Sequence, residues 1–234
     1  MYINSHMQRM MKIALFILVG YLHAEMLPEN GATMNYTHVF FRWDQMPDVE
    51  SYQFTIQNME TGEQSQLTIL QTSVLLTEFI EWNSTYTWFI CGYFSDGDTP
   101  FCTEIYSFEI NPLPDHFPDT DIIFINEALY QDGVTVMDFE SLNFSGGVNR
   151  FGTPIWFVDK NSFEERFVFT QFLKNGNMVG FGPGTGYEID LDGNIVFETP
   201  NLNSLHHHFT KTSHNTYFLI SATIEDQYCP EECN

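Results

Sequence analysis

The chain has 234 residues, with 8 Lys+Arg against 31 Asp+Glu, a formal net charge of −23 and a pI near 4.3. That balance excludes a nucleic-acid binder, which needs clustered cations for phosphate contacts, and disfavours an anionic membrane surface. Hydrophobic residues make up 43% and aromatics 16%, including 23 Phe, 11 Tyr and 4 Trp, so the chain can bury a core that offsets its conformational entropy, and disorder is excluded.

The first element is an address. Lys12 precedes the apolar run Ile13–Gly20, and Tyr21-Leu22-His23-Ala24 precedes Glu25. A basic start, a short apolar stretch and a small residue predict a secretory signal peptide over 1–24. The run is shorter than the ~20 residues that span a bilayer, so no stable membrane insertion is expected after cleavage. An uncleaved anchor is the alternative. The start itself is either Met10 or Met11, the preceding residues then being read-through or a cloning scar, or Met1.

Export suits the four cysteines. Cys91 and Cys102 end two strand-like runs, Tyr86–Cys91 and Phe101–Tyr106, separated by the turn Ser95-Asp96-Gly97-Asp98. Antiparallel neighbours bring Cα atoms within disulfide reach, so Cys91–Cys102 is expected to be bridged in an oxidising compartment, secreted or periplasmic. Cys229 and Cys233 stand in Cys-Pro-Glu-Glu-Cys, where a local bridge is an option; no further Cys or His pair at zinc spacing accompanies them, and no metal is expected. Sequons begin at Asn35, Asn83 and Asn143, and count only in a glycosylating host.

Residues 25–110 read as a β-sandwich. Short alternating strands are predicted over His38–Trp43, Ser51–Gln57, Gln64–Leu70, Val74–Phe79, Tyr86–Tyr93 and Phe101–Ile110, bounded by turns such as Thr61-Gly62-Glu63. An early-strand Trp43, the Tyr52 strand after it, and Ile80 six positions before Tyr86 together resemble a fibronectin type III domain. That resemblance implies Trp43 and Tyr86 as core anchors. Pro112, Pro114 and Pro118 make 111–121 a stiff linker, with His116 an exposed bystander.

After the linker the texture changes. Gly152–Asp159 is echoed by Gly193–Pro200, 41 positions on, and Phe172–Gly180 by Thr210–Phe218, 38 positions on. A recurring unit of strand and turn near this length predicts β-propeller blades over 122–234, with Asn175-Gly176 and Asp192-Gly193 as type I′ hairpin turns. The fold class is therefore all-β, a sandwich followed by the first blades of a propeller. About two to two and a half units fit, whereas closure takes at least four, so the propeller reads as cut short.

The residues with most chemical interest are Leu205-His206-His207-His208-Phe209. On a regular strand His206 and His208 would face one way and His207 the other, and an inward imidazole could bind an anion or move a proton. A surface run of histidines without a role is the bland alternative. Asp190–Asn194 has the look of a calcium loop with its glycine two positions early, and a hairpin turn suits it better. Gly182–Gly186 lacks the Lys and helix of a phosphate loop.

The hairpin Tyr187–Glu198, a short spacer, Leu-His-His-x-Phe and a further polar hairpin, all after a β-sandwich, resemble the arylsulfotransferase family. That resemblance implies transfer of a sulfuryl group from an aryl sulfate donor to a phenolic acceptor through a channel histidine, with no cofactor. The matched residues are His206 and His207, assigned to sulfuryl binding and not to the transiently sulfated nucleophile, which in the family comes later in the chain. His208 stands where the family has Asp, and the family's later His and Arg motifs have no counterpart before Asn234, so this stretch alone is expected to be inactive. The rival reading is a secreted adhesion or ligand-binding protein that uses the propeller only as a scaffold.

Overall fold

A computed structural model describes residues 26–94, 99–131, 133–139, 142, 144–160, 163, 167–201 and 205–221, the side chains of His206, His207 and Ser221 excepted. Its regular elements are all β-strands, as the sequence predicts. By internal contacts the chain divides into two compact units. Among the described residues, one holds those within 26–32, 39–80 and 84–109, the other those within 33–38, 81–83 and 110–221.

The early strands are β1 (Ala32–Met34), β2 (Val39–Arg42), β3 (Val49–Asn58), β4 (Gln64–Ile69), β5 (Ser73–Leu76), β6 (Ser84–Phe94), β7 (Phe101–Cys102) and β8 (Tyr106–Ile110). They form a six-stranded sheet of order β1-β8-β6-β3-β4, with β7 also on β6, and a two-stranded sheet β2-β5. Period-2 alternation explains the core of the first unit. Tyr52, Phe54 and Ile56 of β3 and Tyr86, Trp88 and Ile90 of β6 are all buried, each burial contributing about 1.5–3 kcal/mol.

Phe41 of β2 joins the two sheets of this unit, meeting Phe54, Trp88 and Phe108 edge-on with ring centres 4.8, 5.2 and 5.7 Å apart. Trp43 and Tyr86, the expected anchors, are 1% and 0% exposed. The Tyr86 hydroxyl donates to Phe79 O at 3.3 Å, closing the corner before β6. The predicted strand over Phe101–Ile110 is interrupted at Thr103–Ile105. There the Thr103 N–H donates to Ile90 O at 2.9 Å and its hydroxyl accepts the Ile90 N–H at 3.2 Å.

The second unit begins earlier than the sequence reading places it. Its first sheet has β9 (Thr135–Phe139), β10 (Phe144–Val148) and β11 (Pro154–Asp159) in the order β11-β10-β9. Residues 35–37 lie along the free edge of β11. Tyr36 bridges Trp156 antiparallel, the Thr37 N–H donates to Ile155 O at 2.9 Å, and the Phe157 N–H donates to Asn35 O at 3.0 Å. Trp82 joins the same unit, its ring 5.5 Å from that of Phe157 and its indole N–H donating to Pro154 O at 3.3 Å. Residues 111–121 belong here too, with Phe117 packed edge-on against Phe144 at 5.5 Å.

The second sheet is a four-stranded meander of β12 (Val168–Phe172), β13 (Met178–Phe181), β14 (Gly186–Ile189) and β15 (Ile195–Glu198). A two-stranded sheet follows, β16 (Leu205–Lys211) with β17 (Tyr217–Ser221). Trp156, Val158, Phe163, Phe167, Met178 and Ile189 form one buried cluster of this unit.

The sequence echoes are structural. The stretches 41 positions apart each begin at the glycine that closes a tight turn and run through the strand after it, β11 or β15; those 38 positions apart contain the turns of β12-β13 and β16-β17. All four turns share one hydrogen-bond pattern, in which residue i donates its N–H to the i+4 carbonyl and accepts the i+3 N–H. Asn149, Leu173, Asp190 and Thr212 are the first residues, and every one of these bonds lies between 2.8 and 3.2 Å.

The fourth residue of each turn has positive φ: Gly152 77°, Gly176 92°, Gly193 86° and Asn215 58°. Asn175 and Asp192 do not. A type I′ turn needs positive φ at both central residues, so that expectation is corrected. These are three-residue loops closing with a left-handed bulge residue.

Candidate functional site

β16 carries the histidine run. Its pairing with β17 is Leu205↔Ser221, then Phe209↔Leu219, with a register irregularity between. Four steps on β16 therefore oppose two on β17, so the strict alternation expected for His206, His207 and His208 does not hold through the run. Leu205 and Phe209, on either side, are buried at 2% and 0% exposure, and His208 is exposed. The backbone of His206 and His207 lies on this strand, and their side chains lie outside the described residues.

Side chains of β12 hold β16 in place. The Thr210 hydroxyl donates to Gln171 Oε1 at 2.7 Å and the Lys211 N–H donates to the same atom at 2.9 Å, while the Thr170 hydroxyl donates to Phe209 O. Past the histidines stands a cluster around Glu188. Lys211 Nζ donates to Oε2 at 2.6 Å, the Tyr217 hydroxyl to the same oxygen at 2.5 Å, and Asn177 Nδ2 to Oε1 at 2.7 Å.

Burial alone would raise the Glu188 carboxyl, but the hydrogen bonds from Lys211, Tyr217 and Asn177 outweigh it and hold the carboxyl below its usual range. The Glu188 hydrogen bond holds the Lys211 ammonium above its usual range. Burial, then acceptance by Glu188, raises the Tyr217 phenol. Sequence reasoning missed this cluster, because its members are polar residues on four separate strands or turns. On its solvent side a cavity of about 670 Å³ is lined by both Lys174 and Lys211 together with Thr212, Ser213 and Asn215.

A second polar cluster surrounds the fully buried Lys160. Its ammonium donates to Asp138 Oδ1 and, at 2.6 Å, to Phe167 O; the Ser145 hydroxyl also donates to Asp138 Oδ1, at 2.9 Å. These bonds link β9, β10, the end of β11 and the chain entering β12.

The largely apolar cavity of this unit, about 550 Å³, lies beside residues 36–38. Tyr36, Trp156 and Phe172 supply aromatic walls, Val134, Val136, Ile155 and Leu191 aliphatic ones, and His38 the remaining polar group. Burial lowers the His38 imidazole. Burial, then the charges of Asp192 and Asp190, raise the Tyr36 phenol.

The other predicted positions divide plainly. Cys91 and Cys102 face each other across β6 and β7 and form a disulfide, with Cα atoms 4.0 Å apart. Cys229, Cys233 and the signal peptide over 1–24 lie outside the described residues. Asp190–Asn194 is a hairpin turn, in which Asp190 Oδ1 accepts the N–H groups of Asp192 and Asn194 at 3.0 and 2.8 Å. His116 is exposed, its ring T-shaped to that of Phe144 with centres 5.0 Å apart. Among the described residues no group of three or more His, Cys, Asp and Glu is placed to hold a metal ion. No family model and no curated protein matches the chain.

Proposed function

We propose that the chain belongs to an extracytoplasmic arylsulfotransferase-like protein, in which His206 and His207 bind the sulfuryl oxygens of an aryl sulfate during transfer to a phenolic acceptor. The observation that carries this reading is the position of the Leu205-His206-His207 motif on β16, directly after a four-stranded meander and at the start of a hairpin that repeats the turn of β12-β13. The motif, the preceding Tyr187–Glu198 hairpin and the polar hairpin after it occur in the order in which the family resemblance has them.

The chemistry asked of the two imidazoles is charge stabilisation. As the S–O bond to the donor phenol breaks, negative charge grows on the sulfuryl and phenolic oxygens, and imidazolium N–H groups aimed at them lower the barrier. In a chain with 8 Lys+Arg, histidine is the cation source this reading draws on. The Cys91–Cys102 disulfide is compatible with an oxidising compartment, and with the leader expected over 1–24 it supports secretion or a periplasmic location.

The test, made on a full-length protein that includes the family's later His and Arg motifs, is acceptor-dependent release of 4-nitrophenol from 4-nitrophenyl sulfate in the presence of phenol. His206→Ala and His207→Ala are each expected to lower the rate about 10²-fold, as removal of one transition-state donor does. Wild-type rates in both variants contradict the reading. The second reading, a secreted ligand-binding protein without chemistry, is favoured by one observation, the 550 Å³ aromatic cavity beside Tyr36, which could bind a ligand without any reaction.

A further inference from the structure

The sulfuryl-transfer reading makes no use of the cavity beside Tyr36, and its walls say what it can hold. Backbone pairing sets the first wall, because the Tyr36–Trp156 bridge fixes both aromatic residues on adjacent strands. The Trp156 indole is held by N–H donation to Leu191 O at 2.8 Å, and Phe172 meets it edge-on, ring centres 6.0 Å apart at 79°. The site is therefore built before any ligand arrives, which spares a ligand the cost of ordering it. Phe172 is 44% exposed and Val136 38%, so the rim presents apolar surface that a ligand would remove from water.

Charge narrows the occupant. Among the described residues no Lys or Arg lines the cavity, and the polar groups there are a phenol that burial raises and an imidazole that burial lowers, both shifts favouring the uncharged form. Asp190 and Asp192, flanking Leu191 on the neighbouring turn, are close enough to act on the Tyr36 hydroxyl. An anion entering here would shed its hydration without gaining a cation and would feel two carboxylates.

We propose that this cavity is a binding site for a flat, ring-bearing small molecule without negative charge, seated against Trp156 and Phe172 with a polar atom toward Tyr36 or His38. Aryl sulfates are anions, so this site is separate from the one proposed on β16, and either can fail without the other. A volume near 550 Å³ lies within the range of small-molecule pockets.

The purified protein, titrated with the neutral fluorophore N-phenyl-1-naphthylamine and with its sulfonated relative 8-anilinonaphthalene-1-sulfonate, tests this directly. The neutral probe is expected to bind saturably at one site, and the sulfonate at least tenfold more weakly. Phe172→Ala and Val136→Glu should each weaken the neutral probe at least fivefold, with near-ultraviolet circular dichroism unchanged. Leu70→Ala, at a 76% exposed position in the other unit, should leave it as it was. No saturable binding of the neutral probe, equal binding of the sulfonate, or undiminished affinity in both cavity variants overturns the proposal.

Discussion

Asn35 and Asp192, 157 positions apart in the chain, are joined by a hydrogen bond in which the Asn35 backbone N–H donates to Asp192 Oδ1 at 2.8 Å. Asn35 Nδ2 returns a second bond to the Asp192 carbonyl at 3.1 Å, and Asn35 Oδ1 accepts from Asn111 Nδ2 at 2.8 Å. These contacts tie residues 33–38 to the β14-β15 turn, so one segment from early in the chain is fastened within the second unit at its backbone and its side chain together.

Asp192 pays for its place. Burial, opposed by the Asn35 N–H and aided by the charge of Asp190, pushes its carboxyl up to about 6. The folded state thus holds this proton more tightly than the unfolded chain, where an Asp titrates near 3.9. Stability falls as pH rises from about 4 to about 6, and the full cost is present above that. Asp192→Asn keeps the Oδ1 acceptor and cannot ionise. It is expected to raise stability at pH 7.5 by about 1–3 kcal/mol, with the gain vanishing near pH 4; urea midpoints across this range check it.

Glu188 behaves in the opposite sense. Its carboxylate is 1% exposed and satisfied by Lys211, Tyr217 and Asn177, and its pKa is held down. The stabilisation is present above the unfolded value of about 4.3 and is lost as pH falls through the folded one. Glu188→Ala strands Lys211 and should cost about 2–4 kcal/mol at neutral pH. Glu188→Gln should cost less, and its deficit should shrink below pH 4 in chemical denaturation.

The turn set makes a third prediction. Gly193→Ala places a Cβ at φ 86° and 2.8 Å from Val158 Cγ2, so a loss of at least about 1 kcal/mol is expected. Asn215→Gly relieves a left-handed non-glycine residue and should change stability by less than about 0.5 kcal/mol in either direction. Thermal midpoints of the two variants measure the contrast.

Reducing Cys91–Cys102 opens a loop with a sequence separation of 11, for which chain entropy gives a loss of about 2–3 kcal/mol. A melt with and without reductant should show a lower midpoint for the reduced protein, and Cys91→Ala/Cys102→Ala should match the reduced protein within about 1 kcal/mol.

Local features were legible in the sequence and distant pairings were not. Alternation around Tyr52-Phe54-Ile56 and Tyr86-Trp88-Ile90 announced β3 and β6, because period 2 follows from the pleat. The echoes 38 and 41 positions apart located turns that share one hydrogen-bond pattern. The turn type was misread because a dipeptide such as Asn175-Gly176 does not say which residue takes positive φ. A better signal was available two residues before the dipeptide, where Asn149, Asp190 and Thr212 each accept two loop N–H groups with a side-chain oxygen.

Residues 35–37 pair with β11 across more than a hundred positions, and nothing in their own composition names that partner. Nor does a strand period reveal the irregular register that interrupts β16 at its histidines.

The central claim, that His206 and His207 bind a sulfuryl group, is tested most directly by imidazole spectra of protein carrying ¹⁵N-labelled histidine. Phenyl sulfate should shift two resonances, identified by their loss in His206→Ala and His207→Ala, and leave those of His38, His116 and His214 in place. Phenyl sulfate that moves neither of the two resonances at saturating concentration contradicts the account.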